Sequence, residues 1–378
     1  MQTSAGDPLK FVIAVIAAQV AGGLVTQMSP LVVGGVIIGL ELTEQQAGFV
    51  AFAEFIVLSL TAIAIAPFLP RLSCRALCFC AASVAIAAQV ISILLTDLNL
   101  IVIMRCIAGV GEGLLYAASL AAVASRSANP DKLYGYIQVA WAVLSTLLFT
   151  AGGYLTDMFA HRGIYGMIAG ITIILILFLR WLPTGVTATA ESVNKNHNAA
   201  PPWMGIVTLA GISIYLTASA AIYTFTAPLG ERAGLSTNQI GYALTTGSAV
   251  GFSGAALATW LNIRRGRAIP ISVFSVAFSI IAIVLCVNTH PVIYVVTLVL
   301  SVVFFYFSVP YLFGLAAALD QQGRWAAAAG SAYLLGFAVG PAFAGSMIEW
   351  YDYVGLGVAS VIATILAWIL LLVVVRNL

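Results

Sequence analysis

The chain has 378 residues, 62% of them hydrophobic and only 7% Asp, Glu, Lys or Arg, with a formal net charge of +2. An ordinary soluble domain is about 25% charged, so this sequence lacks the polar groups that cover a water-facing surface. A nucleic-acid-binding charge pattern is excluded as well.

Apolar runs of about 20 residues, enough to cross a bilayer as a helix, recur along the chain. The short alternating segments of a membrane β-barrel are absent. The first run, Phe11 to about Gly34, is too long for a signal-peptide core and has no convincing cleavage site. It reads as a first span. Eleven more follow at about 45–67, 76–95, 98–123, 133–156, 163–182, 202–227, 236–260, 268–288, 291–318, 325–348 and 353–375. One long hydrophilic connection, 183–201, separates an N-terminal half (1–182) from a C-terminal half (202–378), each with six spans. The expected fold is an all-α integral membrane protein of twelve transmembrane helices in two six-helix halves.

Charge placement tests this count through the excess of Lys and Arg in cytoplasmic loops. With the N-terminus inside, the inner loops and tails hold Lys10, Arg71, Arg75, Arg126, Lys132, Arg180, Lys195, Arg264, Arg265, Arg267, Arg324 and Arg376. The outer side holds Arg162 and Arg232 and is otherwise acidic, with Glu41, Glu44, Asp97, Asp157, Glu231, Glu349 and Asp352. Both termini are therefore expected to be cytoplasmic, in a plasma membrane or bacterial inner membrane.

The interior of each span carries the functional reading. In the first, Gln19, Gly23 and Gln27 share a stripe, with Thr26 adjacent. The second holds Glu54. In the fourth, Arg105, Gly109, Glu112 and Tyr116 fall at i, i+4, i+7 and i+11, a single helical stripe expected to face the space between the halves. The fifth repeats the pattern with Tyr134, Gln138, Trp141 and Ser145. Charge inside a bilayer is costly and needs a partner, a watery cavity or a neutralising proton. Glu54 and Arg105 lie at similar depth and can pair. Burial favours a protonated carboxyl and a nearby guanidinium favours an ionised one, so moving Arg105 loads or releases a proton on Glu54 or Glu112. Arg105 is equally suited to binding an anionic substrate, and a fixed structural ion pair is the plainer alternative.

No Asp, Glu, Lys or Arg lies in mid-span in the C-terminal half. Its cavity candidates are Tyr215, Ser219, Tyr223 and Thr226 in the seventh span, Thr245, Thr246 and Ser248 in the eighth, Phe304, Phe307 and Tyr311 in the tenth, and Tyr333 in the eleventh. Aromatic walls with a few hydroxyls suit an apolar or aromatic part of a ligand. Glycines crowd the fourth span (Gly109, Gly111, Gly113) and the eleventh (Gly336, Gly340, Gly345, beside Pro341), as close packing or bending requires.

Other chemistry has little to rest on. Cys74, Cys78, Cys80, Cys106 and Cys286 sit in or beside apolar segments, suggesting neither disulfides nor a thiolate cage. His161, His197 and His290 lie far apart in loops, so no metal site is expected. No phosphate loop ending in Gly-Lys-Ser/Thr appears, no cofactor is implied, and no nucleophile–base–acid set marks an enzyme.

The fourth-span stretch Arg105-Cys106-Ile107-Ala108-Gly109-Val110-Gly111-Glu112-Gly113 resembles the arginine and glycine motif of the major facilitator superfamily, and the resemblance extends over essentially the whole chain. It implies a major facilitator fold, with Arg105 at the motif arginine associated with coupling in proton-linked members. Pro70-Arg71-Leu72-Ser73-Cys74-Arg75 resembles a degraded form of that family's cytoplasmic gating motif, with Arg71 and Arg75 at its basic positions. Pro70 replaces the usual aspartate and Ser73 the usual glycine, weakening the implied latch. Arg264-Arg265-Gly266-Arg267 is similar to the counterpart motif in the second half. Drug–proton antiporters of the family carry a glycine-proline motif in the fifth span. Here that region reads Thr150-Ala151-Gly152-Gly153.

The expected function is proton-coupled alternating-access transport of a small organic acid or amphipathic metabolite by symport, performed by a monomer. Proton-driven efflux of hydrophobic or drug-like compounds is the alternative. A channel lacks any filter-like loop, and a transporter-like receptor would bind ligand without counterflow.

Overall fold

The computed structural model describes residues 7–185, 201–261, 266–319 and 324–378, with Pro130, Asp131, Arg324 and Ala327 described by their backbone alone. Arg264, Arg265, Lys195 and His197 lie outside the described residues. All regular structure among them is helical. Among the described residues, nine helices are long and apolar enough to cross a membrane. Two of these, Lys132–Trp181 and Ala328–Asn377, run for 50 residues each. Each turns back at one residue of positive φ, Ala160 (50°) and Asp352 (59°), and so makes two crossings. Thr237–Leu261 is 25 residues long but rich in Thr and Ser, and supplies the twelfth.

We number the crossings in chain order. α1 is Leu9–Gln27, continued after Met28 by Ser29–Leu40. α2 is Glu44–Ile65, α3 Cys74–Leu94 and α4 Leu98–Arg126, and α5 and α6 are the arms 130–159 and 161–176 of one bent helix. α7 is Pro202–Thr224, continued by Thr226–Arg232, followed by α8 (Thr237–Leu261), α9 (Ala268–Val287) and α10 (Pro291–Ala317). α11 and α12 are the arms 324–351 and 353–377. Twelve crossings match the predicted spans to within six residues: the first runs on to Leu40 and the seventh to Arg232, while the sixth stops at Ile176. Pro30 explains both the break and the continuation of the first. It has no N–H for the Thr26 carbonyl, so the helix steps at Met28 and resumes with proline in its first turn.

α7 breaks in the same way at Phe225, ahead of Pro228. The two broken helices meet. At the α1 step the Leu31 N–H turns to the Met28 carbonyl, 3.0 Å away, leaving the Gln27 carbonyl without its usual helical donor. The Tyr223 hydroxyl of α7 fills that gap, donating to Gln27 O at 2.7 Å. A hydrogen bond from one half thus completes the backbone of the other.

α1–α6 pack on one another, as do α7–α12, and the two groups touch chiefly through α2 with α11 and α5 with α8. This contact lies at the end of the bundle away from the segment that joins the halves. There, small residues set the spacing. A Cβ at Gly48 would overlap the Pro341 carbonyl, one at Gly345 the Glu44 carbonyl, and one at Gly153 would come within 2.8 Å of the Gly241 Cα. Thr150 and Thr245 share a hydroxyl hydrogen bond of 2.9 Å across the same seam, and Tyr353 donates to Glu44 Oε1 at 3.2 Å. Toward the linker end the halves separate and leave a cavity.

Candidate functional site

The cavity has a volume of about 930 Å³ and extends from mid-membrane to the linker end, where Leu69, Ala124, Tyr134, Phe313 and Gly330 line it. α1 and α5 contribute three amides, Gln19, Gln27 and Gln138, together with Trp141. Gln19 accepts a short hydrogen bond from the Ser119 hydroxyl. Tyr116 completes the α4 face. From the other half come Ser219, Tyr223, Ser248 and Tyr333, all of them sequence candidates.

Several expected residues are elsewhere. Tyr215 is buried between α7 and α9, its ring 5.0 Å from Phe274 and 5.6 Å from Phe278. Thr245 belongs to the far seam through its bond to Thr150. In α10 the expected stripe is turned away from the cavity. Phe307 packs on Phe304 and Tyr311 (centroids 6.3 and 5.2 Å), and Tyr311 donates to the Ala258 carbonyl at 3.3 Å. The cavity face of α10 is instead Ser301, Val302, Phe305, Tyr306, Val309 and Phe313. Phe304, Phe305, Tyr306 and Phe307 are consecutive, so the aromatic pattern does not select one face of this helix. Phe55, Ser59 and Phe337 also line the cavity and were not singled out in the sequence.

The ionisable residues form a separate, sealed cluster. Of the α4 stripe expected to face the space between the halves, Tyr116 alone lines the cavity. Arg105 and Glu112 point into the N-terminal half, among α2, α3 and α6, where Glu54 and Arg105 are 0% exposed and Glu112 2%. The reason is packing. A Cβ at Gly109 would overlap the Glu54 carbonyl and one at Gly113 the Leu58 carbonyl, while one at Gly111 would sit 2.5 Å from the Ala81 carbonyl. These glycines let α4 lie against the backbones of α2 and α3, and that approach brings the charges within reach. Arg105 Nη1 donates to Glu54 Oε1 at 3.0 Å and to Gln89 Oε1 at 2.7 Å, and Nη2 to Ser92 Oγ at 2.5 Å and the Ala88 carbonyl at 3.2 Å. Its guanidinium carbon lies 4.2 Å from the centre of the Tyr165 ring. Gln89 Nε2 donates to Glu112 Oε1 at 3.1 Å, so one amide bridges the arginine and the second carboxyl. Gln89, Ser92 and Tyr165 were missed in the sequence. The signal was present in Gln89 and Ser92, two polar residues three apart in the otherwise apolar second half of α3.

At the linker end, Arg71 closes a short 3₁₀ turn, Ala66–Arg71, and is exposed. Arg75 Nε donates to the Leu182 carbonyl at 2.8 Å, and Arg126 to the Gly185 carbonyl at 3.0 and 2.9 Å. Both hold the chain leaving α6. Arg267 is half-buried beside Gly266, whose φ is 72°. All five cysteines are free, and no group of His, Cys, Asp or Glu among the described residues is placed to hold a metal.

Residues 11–320 match the sequence pattern of the Major Facilitator Superfamily. The chain belongs to that family. It is accordingly a multi-pass, non-enzymatic membrane transporter. Solved structures agree on the fold. A bacterial homologue of the human lysosomal transporter Spinster, in an inward-facing and unoccupied conformation, superposes with a TM-score of 0.75 at 14% identity, covering 99% of this chain and 98% of that one. A D-xylose–proton symporter gives 0.72 at 15% identity, covering 95% and 97%. The nucleoside transporter NupG gives 0.73 at 12% identity, covering 97% and 98%. A search of curated protein sequences finds no match.

Proposed function

We propose that this superfamily member is a proton-coupled symporter of a small organic acid or amphipathic metabolite, with residues 1–182 and 202–378 rocking as units about the central cavity. The observation that carries the reading is that one guanidinium serves two buried carboxyls, Glu54 directly and Glu112 through the amide of Gln89. Such a set holds a proton on one carboxyl or releases it, according to which of them Arg105 serves. Glu54 Oε2, Glu112 Oε2 and Arg105 Nε are buried without hydrogen-bond partners among the described residues, so the cluster retains capacity for rearrangement. α4 links it to the solute, because Tyr116 on the cavity lies one turn beyond Glu112. A solute pressing on Tyr116 and a proton on Glu112 act on the same turn of helix. Arg105 is less suited to binding a substrate anion, since it is walled off from the cavity.

With the membrane orientation expected from the loop charges, the cavity opens to the cytoplasm of a bacterial or plasma membrane and the glycine seam closes the outer side. The protein then works as a monomer. The volume and the aromatic lining also favour a second reading, proton-driven efflux of a hydrophobic compound.

The test begins with a ligand screen by thermal stabilisation, followed by counterflow of the hit in proteoliposomes. Proton movement is then recorded with an enclosed pH-sensitive dye. Solute entry with inward proton movement supports symport, and outward solute flux driven by an inward proton gradient supports efflux. Glu54→Gln or Glu112→Gln is expected to keep counterflow while losing the accompanying proton movement. Unchanged proton flux in both variants refutes the assignment.

A further inference from the structure

We infer that the cavity takes its solute in an uncharged form, holding a hydrogen-bonding edge on the N-terminal half and a flat apolar face on the C-terminal half. This deepens the transport reading above and rests on it. The first observation is the lining itself, which among the described residues contains no Asp, Glu, Lys, Arg or His. A transporter that closes around its cargo strips most of its water at some stage of the cycle. A net charge then loses hydration with no counter-charge to replace it.

The second observation is the barrier between this cavity and the charges next door. A Cβ at Gly22 would lie 2.7 Å from the Tyr116 nitrogen and 2.9 Å from the Glu112 carbonyl oxygen. α1 therefore rests directly on the α4 backbone and screens Glu112 from the cavity. Arg105 makes four hydrogen bonds within its cluster. None of these ionisable side chains reaches a solute without dismantling the packing that buries it.

The third observation is that the lining amides all come from the N-terminal half, beside Tyr116 and Trp141, whereas the C-terminal half offers rings and a few hydroxyls. Gln19, Gln27 and Gln138 offer amides, each both donor and acceptor, on one side. Opposite them, the Tyr333 and Phe337 rings lie 6.3 Å apart with planes at 11°, and Phe313 and Tyr223 extend the wall at 6.1 and 6.4 Å. Amides facing an aromatic wall match a neutral solute with one polar edge and one flat face. A carboxylic acid enters this site as the protonated acid.

A matched triad of equal size tests the charge rule: 2-naphthamide, 2-naphthoate and 2-naphthamidinium, titrated calorimetrically into the purified full-length chain at neutral pH without a proton gradient. The amide is expected to bind at least about tenfold more tightly than either ion. Gln138→Lys, a change on an exposed wall of the cavity, is expected to strengthen naphthoate binding by about tenfold. An ion that binds as well as the amide, an amide that does not bind, or a Gln138→Lys variant indifferent to naphthoate overturns the proposal. Failure here is separable from failure of proton coupling. The Glu54→Gln and Glu112→Gln fluxes report coupling alone, and the binding order of the triad reports the cavity alone.

Discussion

Replacing Arg105 with methionine tests the sealed cluster most directly, because methionine keeps much of the side-chain length while removing charge and donors. The structure states what is lost: the Glu54 bond at 3.0 Å, the Gln89 bond at 2.7 Å, two more to Ser92 and Ala88, and the stack on Tyr165. Removing one partner of a buried pair costs about 3–5 kcal/mol, because the other charge is left stranded. With an unfolding entropy of about 2.1 cal/mol/K per residue, a chain of 378 residues loses roughly 5 °C in melting temperature for about 4 kcal/mol. A second change, Glu54→Leu, removes the stranded carboxyl. The double variant is expected to regain about 2–3 kcal/mol relative to the sum of the two single losses. Melting of the four proteins in one detergent, followed by tryptophan fluorescence, completes the cycle. Single losses that simply add in the double variant, or an Arg105→Met protein as stable as the parent, refute the claim that Arg105 and Glu54 form a buried, mutually satisfied pair.

Gly153→Leu places a side chain where the Gly241 backbone sits, so it is expected to pry open the far seam. Spin labels at Asp157 and Asn238 should report a longer distance than in the parent, and an unchanged distance counts against a seam set by glycine. Tyr353→Phe removes the 3.2 Å bond to Glu44 across the same seam. The expected loss of about 1 kcal/mol favours the opened form roughly fivefold, read as faster labelling of a cysteine at Gln45. Ala160 turns the chain between α5 and α6 at φ 50°, a conformation glycine adopts without steric cost. Ala160→Gly is expected to stabilise by about 1 kcal/mol, seen as a rise in melting temperature of about 1 °C.

The twelve crossings were legible in the sequence, because a span is a local property: about 20 apolar residues, whatever lies beside them. The Glu54–Arg105 pair was legible for a related reason. Charge in hydrocarbon needs a partner, and these two lie at similar depth. The face each helix turns was not. Phe304, Phe307 and Tyr311 form as good a stripe as Ser301, Phe305 and Phe313, and when both sides of a helix are apolar its periodicity carries little information. The polar stripe of α4 misled differently. Its charges satisfy one another inside one half, through Gln89 and Ser92 of α3, where the α4 stripe alone pointed to the space between the halves.

Composition and spacing thus determined, unaided, that this is a twelve-crossing membrane protein whose mid-span charge lies in its first half. The tertiary structure decided that the cavity lining is neutral, that the charges sit behind α1 rather than on the cavity, and that the glycine seam closes the end away from the linker. Hydrophobicity along a chain measures transfer into the bilayer, which each segment undergoes alone. Burial of a charge or an aromatic ring depends on which neighbours approach it, and that is settled only when the helices pack.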